Sequence, residues 1–283
     1  MTAPWLMVFA SFLFAMMGVC VKLASEHYGA GEIVFYRGLI GVLVMGLHAL
    51  RQGGTLRTRV PAMHFWRSLT GATALCLWFF AIGKLPIATA MTLNYSSSVW
   101  MTLFLIGGSM LIGSQRVPAR LIVTVLIGFA GVALILQPTI EQNQLWYGLI
   151  GLLSGMISAT AYLQVSGLGR AGEPGFRIVF YFSLGGILAG TLLTLGAGWH
   201  THTPMGMFYL LAVGVLATVA QLMMTRAYST GRPLVNASLQ YLGIAFSYGW
   251  GVLLFDDRIT VLAIAGMLLI VVAGILAAQF RPV

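Results

Sequence analysis

Charge is what this sequence holds least of: Asp, Glu, Lys and Arg make up 7% of its 283 residues, against about 25% in an ordinary soluble domain. So few charges cannot cover a water-facing globular surface, which excludes a soluble domain. Acids are scarcer still, six against fifteen Lys and Arg. Glu26, Glu32, Glu141, Glu173, Asp256 and Asp257 all fall in loops or at the ends of apolar runs. Paired carboxylates for acid–base chemistry are therefore missing at depth, and so is a deep carboxylate to carry a proton across a membrane. The two cysteines, Cys20 and Cys76, lie inside apolar runs and read as small packing residues rather than a disulfide framework. No phosphate-binding glycine loop and no His-Glu-x-x-His is found, so soluble-enzyme chemistry has no motif to stand on.

Apolar residues make up 59% of the chain, in runs near the 20 residues that cross about 30 Å of hydrocarbon. They predict an all-α integral membrane protein with ten transmembrane helices, at 4–24, 32–50, 65–85, 87–113, 119–137, 145–166, 176–197, 205–227, 233–254 and 260–280. The first span begins at Pro4 without a basic stretch before it, so a retained helix is expected, not a signal peptide. The net charge of +9 comes from arginines spread between spans, not gathered on one basic face, which argues against nucleic acid. Eleven cations fall on the N-terminal side: Arg51, Arg57, Arg59, Arg67, Arg116, Arg120, Arg170, Arg177, Arg226, Arg232 and Arg281. Lys22, Arg37, Lys84 and Arg258 fall on the other and complete the fifteen. Cations collect on the cytoplasmic side, so both termini are expected there. His200 and His202 form a His-x-His in an outward loop; with no third ligand nearby they read as loop residues, and no metal or cofactor is expected.

The strongest pattern is internal. Ile33-Val34-Phe35-Tyr36-Arg37-Gly38-Leu39-Ile40-Gly41 matches Ile178-Val179-Phe180-Tyr181-Phe182-Ser183-Leu184-Gly185-Gly186 at six of nine positions, a shift of 178 − 33 = 145. Leu93-Asn94-Tyr95 matches Leu239-Gln240-Tyr241 at a shift of 146, and Pro86 and Pro233 open the two corresponding spans. Two matches at nearly one shift imply a five-span repeat, at 1–140 and 141–283. Five is odd, so the second copy enters the membrane the other way up, the plan of many secondary transporters with a midplane substrate site.

With the Phe-Tyr-Arg37 opening of span two, the Pro86 and Pro233 starts and the closing segments around Gly128–Leu136 and Val271–Leu276, the whole chain resembles the drug/metabolite transporter superfamily. Within it the chain is similar to the ten-helix EamA-type exporters, which include bacterial amino acid exporters. The resemblance implies alternating access and a bacterial inner membrane. It leaves the substrate open among amino acids, nucleosides, cofactors and sugar conjugates.

Polar groups inside spans cost several kcal/mol unless partnered, so inward polar residues are the candidates for a pathway. Arg37 lies about five residues into span two, where it either anchors against Glu32 or a carbonyl or meets a substrate carboxylate. Span four is rich in polar residues, among them Asn94, Tyr95, Ser98 and Trp100. Its serines also suit tight helix packing. Asn94 and Tyr95 have repeat mates in Gln240 and Tyr241, while Gln221 lies deep in span eight. Trp78 and Trp100 sit near mid-span, away from the interfacial belts, where they serve either as packing or as aromatic walls for an ammonium. Gly151-x-x-x-Gly155 and Gly186-x-x-x-Gly190 have the spacing of close helix contacts. The expected function is export of small amphiphilic metabolites, amino acids foremost. A cofactor or methyl donor such as riboflavin or S-adenosylmethionine is the alternative; a channel or an intramembrane enzyme fits the pattern less well. The expected partners are a small-molecule substrate and the lipid bilayer.

Overall fold

The computed structural model describes residues 2–111, 123, 126–135, 144–257 and 260–279. These residues form helices α1 (Ala3–Ala24), α2 (Ala30–Arg51), α3 (Pro61–Lys84), α4 (Ile87–Tyr95) and α5 (Ser97–Leu111). Then follow α6 (Leu126–Ile135), α7 (Leu145–Arg170), α8 (Gly175–Ala197), α9 (Pro204–Thr230), α10 (Pro233–Gln240), α11 (Leu242–Phe255) and α12 (Val261–Gln279). Proline opens α1, α3 and α9 in the first turn, where its missing N–H would have had no helical partner. Among the described residues six helices, α1, α2, α3, α7, α8 and α9, are long and apolar enough to cross a membrane. Leu188, Leu192 and Leu253 are among many large apolar side chains that stay exposed, as a lipid-facing surface requires.

Spans four and nine, expected as unbroken helices, each break in two. Ser96 separates α4 from α5 and Tyr241 separates α10 from α11, 145 residues apart like the repeat. Neither break has a proline. At the first, Ser96 Oγ donates to the Leu93 carbonyl at 2.7 Å and the turn tightens, with Val99 N–H reaching Ser96 O at 2.9 Å. At the second, Ile244 N–H reaches Tyr241 O at 2.9 Å. Three-residue bonds of this kind overwind a helix and bend it. Taking each pair as one crossing, with α6 and α12 the described residues account for ten spans. The repeat boundary expected at 140 lies outside the described residues.

The inversion shows in how the halves meet. α2 and α8 cross antiparallel, and a Cβ on Gly38 would lie 2.7 Å from Ser183 O and 2.8 Å from Ile187 N. Gly38 and Ser183 are equivalent positions, 183 − 38 = 145, so the two helices touch at their own counterparts, as elements crossing a twofold axis must. α1 packs on α9 as α7 packs on α3, and α2 on α9 as α8 on α3. The chain is an all-α membrane protein of two inverted five-helix repeats.

Each repeat also clasps the other. At one end, Glu32 on α2 accepts from His200 N–H at 2.8 Å, meets His200 Nδ1 at 2.6 Å, and caps its own helix through Gly29 N–H at 3.1 Å. Tyr36 OH meets His202 Nε2 at 2.7 Å. Lys22 and Asp257 close the same end at 3.1 Å. At the opposite end, Glu173 accepts from Thr58 Oγ1 at 2.9 Å and Arg177 Nη1 at 2.9 Å and meets His64 Nε2 at 3.1 Å. There Tyr181, the repeat mate of Tyr36, donates to Leu56 O at 3.0 Å.

Candidate functional site

Between the halves, beside both helix breaks, lies a cavity of about 40 Å³. Its walls come from both repeats: Phe14, Arg37, Arg67, Trp78, Asn94 and Tyr95 from the first, and Ser158, Tyr162, Phe182, Gln221, Met224 and Gln240 from the second.

Arg37 is buried, and its Nη2 donates to Gln221 Oε1 at 3.2 Å. It does not pair with Glu32, one of the two anchors open to it from sequence, because Glu32 is turned outward onto His200 and the α2 cap. Arg67 is the second buried cation and corrects the charge count: assigned to the N-terminal side, it is 2% exposed and faces this cavity. The two guanidiniums stack on one ring, Arg37 at 5.0 Å and Arg67 at 4.3 Å from the Phe182 centroid. Phe182 is the repeat mate of Arg37, 182 − 37 = 145. Gly71, one turn beyond Arg67, leaves room for its guanidinium, since a Cβ there would collide with Arg67 Nη1. Arg37 Nε, Arg67 Nε and Arg67 Nη1 are buried without a hydrogen-bond partner, and no acid lines the cavity among the described residues.

The two repeat-mated amides both face this space. Asn94 Nδ2 donates to Ser154 Oγ at 3.0 Å and Ser158 Oγ at 3.2 Å, leaving its Oδ1 without a donor. Gln240 Nε2 donates to Tyr162 OH at 3.2 Å and its Oε1 accepts from Tyr228 OH at 3.3 Å. Tyr162 and Tyr228 stack at 5.0 Å. Trp78 packs 6.3 Å from both Phe14 and Tyr95, and its indole N–H and the Tyr95 hydroxyl have no partner.

Six of the nine candidates thus meet: Arg37, Trp78, Asn94, Tyr95, Gln221 and Gln240. Ser98, Trp100 and Tyr241 are not in the lining. Ser98 and Trp100 lie past the break on α5, where Trp100 packs edge-on against Phe129 at 5.0 Å. Tyr241 stands at the second break, buried. Arg67, Ser158, Tyr162 and Phe182 went unselected. Two of these carried a signal: Arg67 lies two residues inside span 65–85, and Phe182 holds the position equivalent to Arg37. Among the described residues no three His, Cys, Asp or Glu come together as metal ligands would.

Two inverted bundles enclosing a polar, cation-bearing chamber beside two interrupted helices fit a membrane transporter. Residues 1–137 match the EamA-like transporter family. Along 278 residues the chain is 35% identical to the pseudopaline exporter CntI of Pseudomonas aeruginosa, covering 95% of this chain and 93% of that protein. The chain belongs to the EamA-like transporter family, within the drug/metabolite transporter superfamily. It is also 27% identical over 231 residues to a riboflavin transporter of Rhizobium johnstonii, covering 80% of this chain and 74% of that one. A crystal structure at 18% identity shares the fold, with a TM-score of 0.69 over 97% of this chain and 96% of the other. The chain is a multi-pass membrane transporter of small metabolites and not an enzyme.

Proposed function

We propose that this chain exports carboxylate-bearing metabolites of the amino-acid type, by rocking of repeat 1–140 against repeat 141–283. It sits in a bacterial inner membrane with both termini in the cytoplasm. The observation that carries this reading is Arg37, buried at the contact of the two halves with an unpartnered N–H and no acid in the lining. An unpaired buried cation is costly and is relieved by an anion brought to it. A carboxylate suits a guanidinium because two of its N–H groups reach both oxygens. Asn94, Gln240, Gln221, Trp78 and Tyr95 form the rest of the seat, with aromatic faces for an ammonium. A cavity of about 40 Å³ holds only a few waters, so the halves part to admit a metabolite, as alternating access requires. Two buried arginines disfavour the alternatives: a neutral flavin neutralises neither, and the sulfonium of S-adenosylmethionine adds a third positive charge.

Solute counterflow in proteoliposomes tests this, with a panel of amino acids, S-adenosylmethionine, riboflavin and nucleosides. Amino acids should drive transient accumulation of label above its external concentration. Counterflow by riboflavin or nucleosides alone would overturn the reading.

A further inference from the structure

The proposed function needs one buried cation, and the cavity has two. Arg37 on α2 and Arg67 on α3 both stack against the Phe182 ring, so less than twice the longer stacking distance separates them. Like charges this close in a poorly hydrated interior repel, and a single carboxylate leaves one unpaired. Arg67 is not explained as an anchor to lipid headgroups: it is 2% exposed, and Nε and Nη1 lack partners inside the protein. The glycine one turn along, Gly71, keeps the space its guanidinium occupies. Asn94 adds a third polarity to the same wall, an Oδ1 acceptor without a donor.

We propose that Arg37 and Arg67 form a paired-cation seat that selects metabolites with two carboxylates over otherwise matched ones with a single carboxylate. The Asn94 carbonyl receives the substrate's amino group. This rests on the proposed function and sharpens its substrate class to amino dicarboxylic acids.

Matched pairs separate charge from shape: aspartate with asparagine, glutamate with glutamine, and aminoadipate with its side-chain amide. Each serves as unlabelled driver or competitor in counterflow with purified protein in liposomes. A charge-assisted bond to a second guanidinium predicts that the diacid outcompetes its amide by at least about tenfold in one or more pairs. Arg67→Gln should bring that ratio within about threefold while the monocarboxylic amide is still carried, and Arg67→Lys, which keeps the charge but loses the flat stacking on Phe182, should keep only part of the preference. Equal competition by diacid and amide in every pair, in the unmodified protein, overturns the seat and leaves the one-carboxylate carrier standing. So does an Arg67→Gln protein that keeps the full preference. Counterflow by none of these amino acids removes the proposed function itself. The comparison in unmodified protein decides the matter even if Arg67→Gln fails to fold.

Discussion

At the scale of single residues, the site is built from groups whose hydrogen bonding is incomplete. Asn94 and Gln240 are equivalent in the two repeats and line one cavity, so their loss should act on transport more than on folding. Asn94→Ala and Gln240→Ala are each expected to lower the initial rate of counterflow by about tenfold, while the lipid-facing change Leu253→Ala leaves it unaltered. Undiminished counterflow in the double variant would assign the amides to packing. Glu173 gives a pH prediction at the end where it binds Arg177. Burial raises its carboxyl, but hydrogen bonds from Arg177, Thr58 and His64 outweigh that and hold it below the ordinary 4.5. A depressed folded value stabilises the protein above the unfolded one and is lost as pH falls through the folded one. Thermal melts should therefore show stability falling as pH drops below about 4.5, a dependence that Glu173→Gln flattens. Arg37, Asn94 and Gln240 were legible in the sequence because polarity within an apolar span is visible there. Arg67 carried the same signal more weakly and was passed over, because an arginine two residues inside a predicted boundary also fits an interfacial anchor until its side chain is seen to run inward.

At the scale of helices, the contact that positions the site is the crossing of α2 and α8, which sets Arg37 against Phe182. A Cβ added to Gly38 would lie 2.7 Å from Ser183 O and 2.8 Å from Ile187 N, backbone atoms of α8 that cannot yield as a flexible side chain can. Gly38→Ala is expected to cost about 1–3 kcal/mol by overpacking, whereas Gly107→Ala, with nothing within 4 Å of its added Cβ, should match or slightly raise the starting stability. Equal melting temperatures for the two variants would contradict the crossing. The span pattern was readable because hydrocarbon thickness sets helix length directly. The breaks at Ser96 and Tyr241 were not, since neither carries a proline and a tightened turn leaves the hydropathy of a span unchanged. The small-residue spacings mark close helix contacts as expected: Gly155 lies where a Cβ would be 2.5 Å from Leu93 O, and Gly190 where one would be 2.6 Å from Gly31 O.

At the scale of the whole molecule, the proposed cycle opens one chamber in turn to two sides. The clasps at the two ends, Glu32 with His200 and Tyr36 with His202 at one, and Glu173 with Thr58 and His64 at the other, are made by opposite repeats on opposite faces, so parting one set leaves the other free to hold. The described acids lie at these ends or in loops and none lines the chamber, so flux should follow the substrate gradient. An imposed pH gradient at zero membrane potential is expected not to concentrate a neutral amino acid in liposomes; accumulation above the external level would contradict this. The inverted repeat was visible in two short matches at nearly one shift, but which faces of it enclose space required the packing of α3, α7 and α9 around the breaks. The most direct test replaces Cys20 and Cys76 by alanine and places a single cysteine at Ala161, a buried chamber residue. A membrane-impermeant thiol reagent is then applied to each face in turn, with Gln52→Cys and Thr201→Cys marking the two faces. The account predicts that Cys at 161 reacts from both faces and that a transported amino acid slows both reactions. Reaction from one face only, or labelling that substrate leaves unchanged, would contradict it.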